Sequence, residues 1–199
     1  DRTVIGNTTP KFQGGFGLSG QWKNFDFTAN FNYMVDFDVY NATNYMLSSS
    51  ISNTNNFYNV LADFTQKNRW TYVRADGECL YKNTNIDGSV NEYITMNAGK
   101  SLWNPADVED KVTHSYFVED GSFLRLQDVT IGYTLPSNLT KKWGMSKVRF
   151  YASASNLFIL TGYSGYDPEV DVQSGLTPSM DYNRYPRSRS FVFGTNITF

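Results

Sequence analysis

The residues best able to do chemistry are few. The chain has one His, His114, and one Cys, Cys79. A lone His excludes HExxH and three-His zinc sites and leaves little from which to build a Ser-His-Asp triad. A lone Cys excludes an internal disulfide framework and a Cys-based zinc cluster, and reads as a free thiol. No pair of carboxylates stands at a spacing that marks it for acid–base work. The sequence therefore offers no catalytic centre, no metal set and no cofactor motif. What it does offer is aromatic surface beside polar groups. Trp70, Tyr72, Trp103, Tyr166 and Asp167 combine rings that can lie under the apolar face of a sugar with groups that can hold its hydroxyls. They are the candidate substrate-binding residues. The plainer reading of the same residues is packing, with the rings filling a small loop core. Tyr166-Asp167-Pro168-Glu169 in particular reads as a rigid turn, because Pro fixes φ and Asp bonds to nearby backbone.

The elements that position these residues show in the composition. The 199 residues include 15 Phe, 14 Tyr and 4 Trp, yet only 18% are charged, against about 25% in an average soluble domain. A net charge of −2 provides no basic field for nucleic acid. No apolar run reaches the length of a membrane-crossing helix.

Alternation with period two dominates the pattern. Phe12, Phe16, Leu18 and Trp22 share one face, with Gln13, Ser19 and Gln21 on the other. Lys23-Asn24 turns the chain, and Phe25, Phe27, Ala29, Phe31, Tyr33, Val35 and Phe37 then line a second apolar row. Asp26, Thr28, Asn30, Asn32 and Asp36 oppose them, with Met34 out of pattern. This predicts strands over about 12–22 and 25–37, the second far longer than the usual ~5–6 residues and long enough for the ~9–11 residues of a bilayer-crossing strand. A third strand is predicted over about 116–135, with a β-bulge near Gln127-Asp128 where the apolar parity changes from Leu124 and Leu126 to Val129, Ile131 and Tyr133. A fourth follows over about 147–160, and a fifth over about 189–199. Trp22, Phe25, Tyr133 and Tyr163 fall near strand ends, where rings suit a membrane interface.

Short connections (23–24 and about 136–146) stand at one end, and long ones (about 38–115 and 161–187) at the other, as in outer-membrane barrels with long extracellular loops. Within the first long connection the pattern suggests short helices over 41–50 and 57–64 and an extra strand or hairpin over 70–81. The fold class expected is all-β, an antiparallel transmembrane β-barrel fragment. Five strands leave two open edges, which hydrocarbon does not tolerate, so the chain is expected to be part of a longer protein. Arg125, Arg149, Arg187 and Arg189 are expected on or near the inner face.

Several stretches resemble a known family. Asp120-Gly-Ser-Phe-Leu-Arg-Leu-Gln-Asp-Val-Thr-Ile-Gly-Tyr-Thr-Leu-Pro136 is similar to a stretch of the SusC-like (RagA-type) TonB-dependent transporters of Bacteroidetes outer membranes. So are Lys147–Phe158, the Gly165-Tyr-Asp-Pro-Glu-Val170 loop, the closing Tyr185–Phe199 and, upstream, Thr3–Gly15. The resemblance implies about the last five strands of a plugged, 22-stranded barrel, a size known for such transporters. It also implies import of oligosaccharides or peptides, a SusD-like surface lipoprotein as partner, TonB-derived energy delivered through an absent N-terminal part with the plug, and an outer-membrane location. Gly194, Ile197 and Phe199 resemble the C-terminal signal of barrel assembly. From another class, a soluble carbohydrate-binding β-sandwich would share the alternation, since a sandwich strand also has one dry and one wet face.

Overall fold

The computed structural model describes residues 3–48, 59–65, 68–73, 79–80, 89, 94–95, 99–105, 113, 115–169 and 179–199. In chain order the strands are β1 (Phe12–Trp22), β2 (Phe25–Val35), β3 (Asp38–Asn41), β4 (Tyr72–Val73), β5 (Cys79–Leu80), β6 (Ile94–Thr95), β7 (Val118–Asp120), β8 (Phe123–Thr134), β9 (Lys147–Thr161), β10 (Met180–Asp181) and β11 (Ser190–Thr198). Two short helices are α1 (Ala42–Met46) and α2 (Ser137–Thr140). The chain divides into two units, Asp1–Tyr40 with Val118–Phe199, and Asn41–Phe117.

The first unit is built on a five-stranded antiparallel sheet in the order β1-β2-β8-β9-β11, with β1 and β11 at open edges. Register carries the sequence alternation across all five strands. One row reads Leu18, Ala29, Val129, Ala154, Phe191, and its neighbour reads Gly20, Phe27, Ile131, Ala152, Phe193. Between them, on the opposite face, lie Ser19, Thr28, Thr130 and Ser153. Cross-strand rings stack on the apolar side, Phe16 on Phe31 at 4.8 Å and Phe25 on Tyr133 at 4.7 Å between centroids, a pairing that stabilises a sheet locally. The β8 register shifts at Gln127, with Asn30 opposite Asp128 and Phe31 opposite Leu126. On the other side of β8 the same irregularity meets Asn156, whose φ is 52°. The bulge thus returns Leu126 and Val129 to a single face.

The apolar face is uncovered. Trp22 is 69% and Phe193 80% exposed, and Phe12, Phe16, Leu18, Phe27, Ile131, Phe150, Leu160 and Ile197 are also exposed. A β-sandwich would bury this row against a second sheet, so the sandwich reading fails.

The apolar core cluster lies at the end of the sheet away from the Lys23-Asn24 turn. Phe37, Val39, Phe123 and Tyr163 form a core with Met34 and Ile159 against it. This corrects the sequence reading at two positions. Strand β2 stops at Val35 because Asp36 turns left-handed (φ 63°), and its backbone N–H donates to Ser122 Oγ at 2.9 Å. Phe37 is thereby swung out of the apolar row into the core. Tyr163 is likewise buried rather than at an interface. Met34, out of pattern in sequence, faces the inner side to reach this core. The third strand is also divided. A 3-10 turn at Ser115–Phe117 leads into β7, which pairs with β3. The chain crosses to β8 at Gly121, where any Cβ would lie 2.6 Å from Phe37 and Val39.

In the second unit α1 is shorter than 41–50, capped by Asn41, whose Oδ1 accepts the Asn44 N–H at 2.9 Å. Residues 59–64 form turns instead of the expected helix, and 49–58 lie outside the described residues. Strands β4 and β5 pair antiparallel, Val73 opposite Cys79, and β6 joins on the other side of β4. Trp103 gathers Phe64, Tyr116 and Phe117 edge-on at 5.2–5.7 Å. His114 lies outside the described residues.

Truncating Phe37 to Ala should cost about 3–5 kcal/mol, as for other buried Phe. Phe193→Ala, which opens no cavity, should cost less than about 1 kcal/mol. Thermal unfolding in detergent would read both, and equal losses would refute the placement of Phe37 in the core.

Candidate functional site

The polar face is the surface of the first unit on which charges are brought together. Its residues are small hydroxyls and amides, and they bond across strands. Thr130 Oγ1 and Ser153 Oγ are 2.7 Å apart, and Ser155 Oγ donates to Asp128 Oδ1 at 3.1 Å. Two arginines break the neutrality, and each is matched.

Near the Lys23-Asn24 turn, Arg149 on β9 reaches across β8 to Asp26 on β2 and donates from Nε to Oδ2 at 2.9 Å. The residue it crosses is Gly132. A Cβ there would sit 2.3 Å from the guanidinium, so the absent side chain is what opens the lane. Tyr151 supports the cation from the next inner position, with its ring centre 5.4 Å from the guanidinium carbon.

At the far end Arg125 on β8 is buried, 3% exposed. Its Nη2 donates to Asp167 Oδ1 at 2.6 Å and its Nε to Glu169 Oε2 at 2.8 Å. Arg187 approaches the other Glu169 oxygen at 3.3 Å. Asp167 also accepts the backbone N–H of Glu169 at 3.0 Å, the local bond that makes Asp a turn former. Two cations and two carboxylates thus balance, and the loop after β9 is folded back onto β8. The same loop is held again by Tyr163, whose hydroxyl donates to Asp181 Oδ2 at 2.7 Å, and by Ser164, whose N–H and hydroxyl both donate to Glu119 at 2.8 Å. Burial first, then the Asp181 carboxylate, push the Tyr163 hydroxyl's pKa above its ordinary value.

The residues singled out in sequence are divided between the units, Trp70, Tyr72 and Trp103 in the second and Tyr166 and Asp167 in the first. Trp70 is about half exposed and Tyr166 is 80% exposed. Tyr72 lies in β4. Trp103 is part-buried in its aromatic cluster, and its Nε1–H donates to Ser48 O at 3.2 Å. Asp167 is buried on Arg125. Of the assembly-signal candidates, Gly194 lies beneath the Tyr151 ring on the inner face, with 2.5 Å to any added Cβ, while Ile197 and Phe199 are exposed. Arg125, Arg149 and Arg187 each pair with carboxylates of this chain. The Arg125 constellation was not visible in sequence, because its members lie some forty positions apart. The hints were Arg125 and Arg187 near the inner face and Asp167 and Glu169 in a rigid turn, with nothing to join them. Among the described residues no group of three or more His, Cys, Asp or Glu could hold a metal.

Known proteins bear on this arrangement. No protein-family profile matches the chain. TonB-dependent receptor P3 of Formosa agariphila is 33% identical over the whole chain, which spans 17% of that protein. TonB-dependent receptor SusC of Bacteroides thetaiotaomicron is 41% identical over 86 residues, 42% of this chain and 8% of SusC. Among solved structures, the RagAB peptide transporter superposes with a TM-score of 0.68 over 98% of this chain and 18% of the matched one, at 24% identity, a likeness of fold. The chain thus spans less than a fifth of the length of these relatives. They are receptors and a transporter, not enzymes.

Replacing Arg125 by Ala leaves the buried Asp167 without a cation and Glu169 with Arg187 alone, and should destabilise the loop by about 3–5 kcal/mol. Hydrogen exchange at the Glu169 amide in the full-length receptor reads this directly, and unchanged protection would refute the clamp. A second expectation concerns pH. A tyrosine whose folded pKa is raised above the ordinary 10 contributes stability that is whole below pH 10 and lost as pH rises beyond it. Unfolding followed between pH 8 and 11 should show this fall, and Tyr163→Phe should flatten it.

Proposed function

The chain belongs to the SusC-like TonB-dependent receptors, proteins of the bacterial outer membrane, and from that premise we propose that it forms part of the wall of an active importer of oligosaccharides or peptides. The observation that carries this reading is the open sheet with a broad, uncovered aromatic face on one side and a matched polar face on the other. In a barrel the first meets lipid and the second the lumen. The open edges β1 and β11 would be completed by the remaining strands of the transporter. The short 23–24 turn would face the periplasm and the long connections the outside. The lumen would hold a plug, energy would come from TonB through the N-terminal part, and a SusD-like surface lipoprotein would close over the outer end. Gly194, Ile197 and Phe199 would serve barrel assembly.

For substrate contact we assign Trp70, Tyr72, Trp103, Tyr166 and Asp167 to the outward loops. Support differs among them. Trp70 and Tyr166 offer free ring faces, whereas Trp103 and Asp167 hold their own segments in shape. An exposed ring under a sugar contributes a modest share of binding, so Trp70→Ala and Tyr166→Ala in the full-length receptor should each weaken uptake about three- to tenfold. Uptake would be measured in cells offered a labelled oligosaccharide or a labelled peptide, with and without a protonophore. Uptake of one class that the protonophore abolishes supports the importer reading. Energy-independent uptake, or none of either class, would overturn it.

A further inference from the structure

The apolar face is not uniform. At the end bearing the Lys23-Asn24 turn, Gly20 lets the Phe27 ring lie over it, within 2.5 Å of where a Cβ would be. Beside that ring a groove of about 320 Å³ opens, lined by Trp22, Phe25, Phe27 and Ile131 together with Gly20, Gln21 and Asp26. A groove of this kind accepts an acyl chain, because its walls are chiefly hydrocarbon and aromatic.

A charge stands beside it. Lys23 folds its ammonium over the Trp22 ring, 4.9 Å from the centroid, so the cation lies against one of the rings that line the groove. Lys23 also takes a φ of 54°, a turn conformation that glycine adopts without cost. A lysine held there points to a use for its side chain. The surroundings share its sign. The segments at this end, 19–26 and 132–149, contain Lys23, Lys141, Lys142, Lys147 and Arg149 against one carboxylate, Asp26, and Asp26 is already bound by Arg149. Trp143 and Leu139 in the second short connection are exposed beside the lysines of that segment. In a chain of net charge −2 this is a local excess of positive charge at the turn end of the sheet, with Lys147 and Arg149 on the inner side and Lys23 against the Trp22 ring.

We propose that this corner of the sheet is a seat for one anionic glycerophospholipid, with an acyl chain in the groove between Phe27 and the Trp22–Phe25 pair and the headgroup phosphate on Lys23. Both halves of the ligand are required. The groove alone accepts any hydrocarbon, and the lysine alone any anion. Only an amphiphile with a negative head satisfies the two together, and the ring of Trp22 at their junction suits the boundary between headgroup and tail. The inference rests on the barrel-wall reading, because the apolar face must meet lipid for the groove to fill.

The test uses the full-length receptor in nanodiscs of equal phosphatidylglycerol and phosphatidylcholine, released into native mass spectrometry. Wild type should retain one phosphatidylglycerol in preference to phosphatidylcholine. Lys23→Gln should cut that preference by about fivefold, near the worth of one basic residue at an anionic surface. Gly20→Leu, which fills the groove, should lower retention of both lipids, and Phe193→Ala on the same face but away from the corner should change neither. Equal retention of both lipids by wild type, or a preference that Lys23→Gln leaves intact, would overturn the seat while leaving the wall reading standing. A receptor that remains soluble without lipid or detergent would overturn the wall itself.

Discussion

Apolar surface must leave water, and backbone N–H and C=O groups must find partners wherever water is absent. The five long strands answer the two demands on different axes. Side chains alternate across the sheet, so Phe, Leu, Ile and Trp collect on one face, and among the described residues no helix is long and apolar enough to cross a membrane. Ladder bonds run within the sheet and satisfy every strand except along β1 and β11. A sheet whose greasy face stays uncovered and whose edges stay open is stable only where lipid covers the one and further strands complete the other. Other features of the first unit are adjustments to that condition.

The bulge at Gln127 is the clearest adjustment. Without it, Leu124 and Leu126 would face the opposite side from Val129 and Ile131, because a one-residue slip reverses every later side chain. The extra residue restores the row, and Asn156 absorbs the distortion on β9. Gly132 and Gly194 are adjustments on the inner face, where each gives up a side chain so that a neighbour, Arg149 or Tyr151, can lie flat across the strand.

Alternation made the sheet legible before any coordinates. The runs through Phe12–Trp22, the tight turn at Lys23, the bulge at Gln127 and the long fourth strand are all local, period-two features. What stayed hidden depends on contacts distant along the chain. Nothing near Phe37 announces that Asp36 will turn left-handed, and Tyr163 looks like a strand-end ring until Asp181 and Val39 are placed beside it. The same holds for the candidate site. Aromatic residues could be chosen as candidates by type, but whether a ring is open, like Tyr166, or packed, like Trp103, is settled by tertiary neighbours. Asp167 could be read as a turn former, which its bond to the Glu169 amide shows, but not as the counter-ion of an arginine forty-two positions away.

The choice of arginine at 125 and 149 follows from what each must do. Both hold a carboxylate across a strand or a loop, and the planar guanidinium can offer two directed donors at once, where a lysine would present one compact charge. Arg149 uses Nε and Nη2 on a single carboxylate, and Arg125 divides the same two nitrogens between Asp167 and Glu169. Because these charges are matched inside the chain, the inner face does not depend on an outside partner to neutralise them. What it turns toward the interior is then chiefly hydroxyl and amide, which can exchange hydrogen bonds with water or a passing solute without holding either strongly.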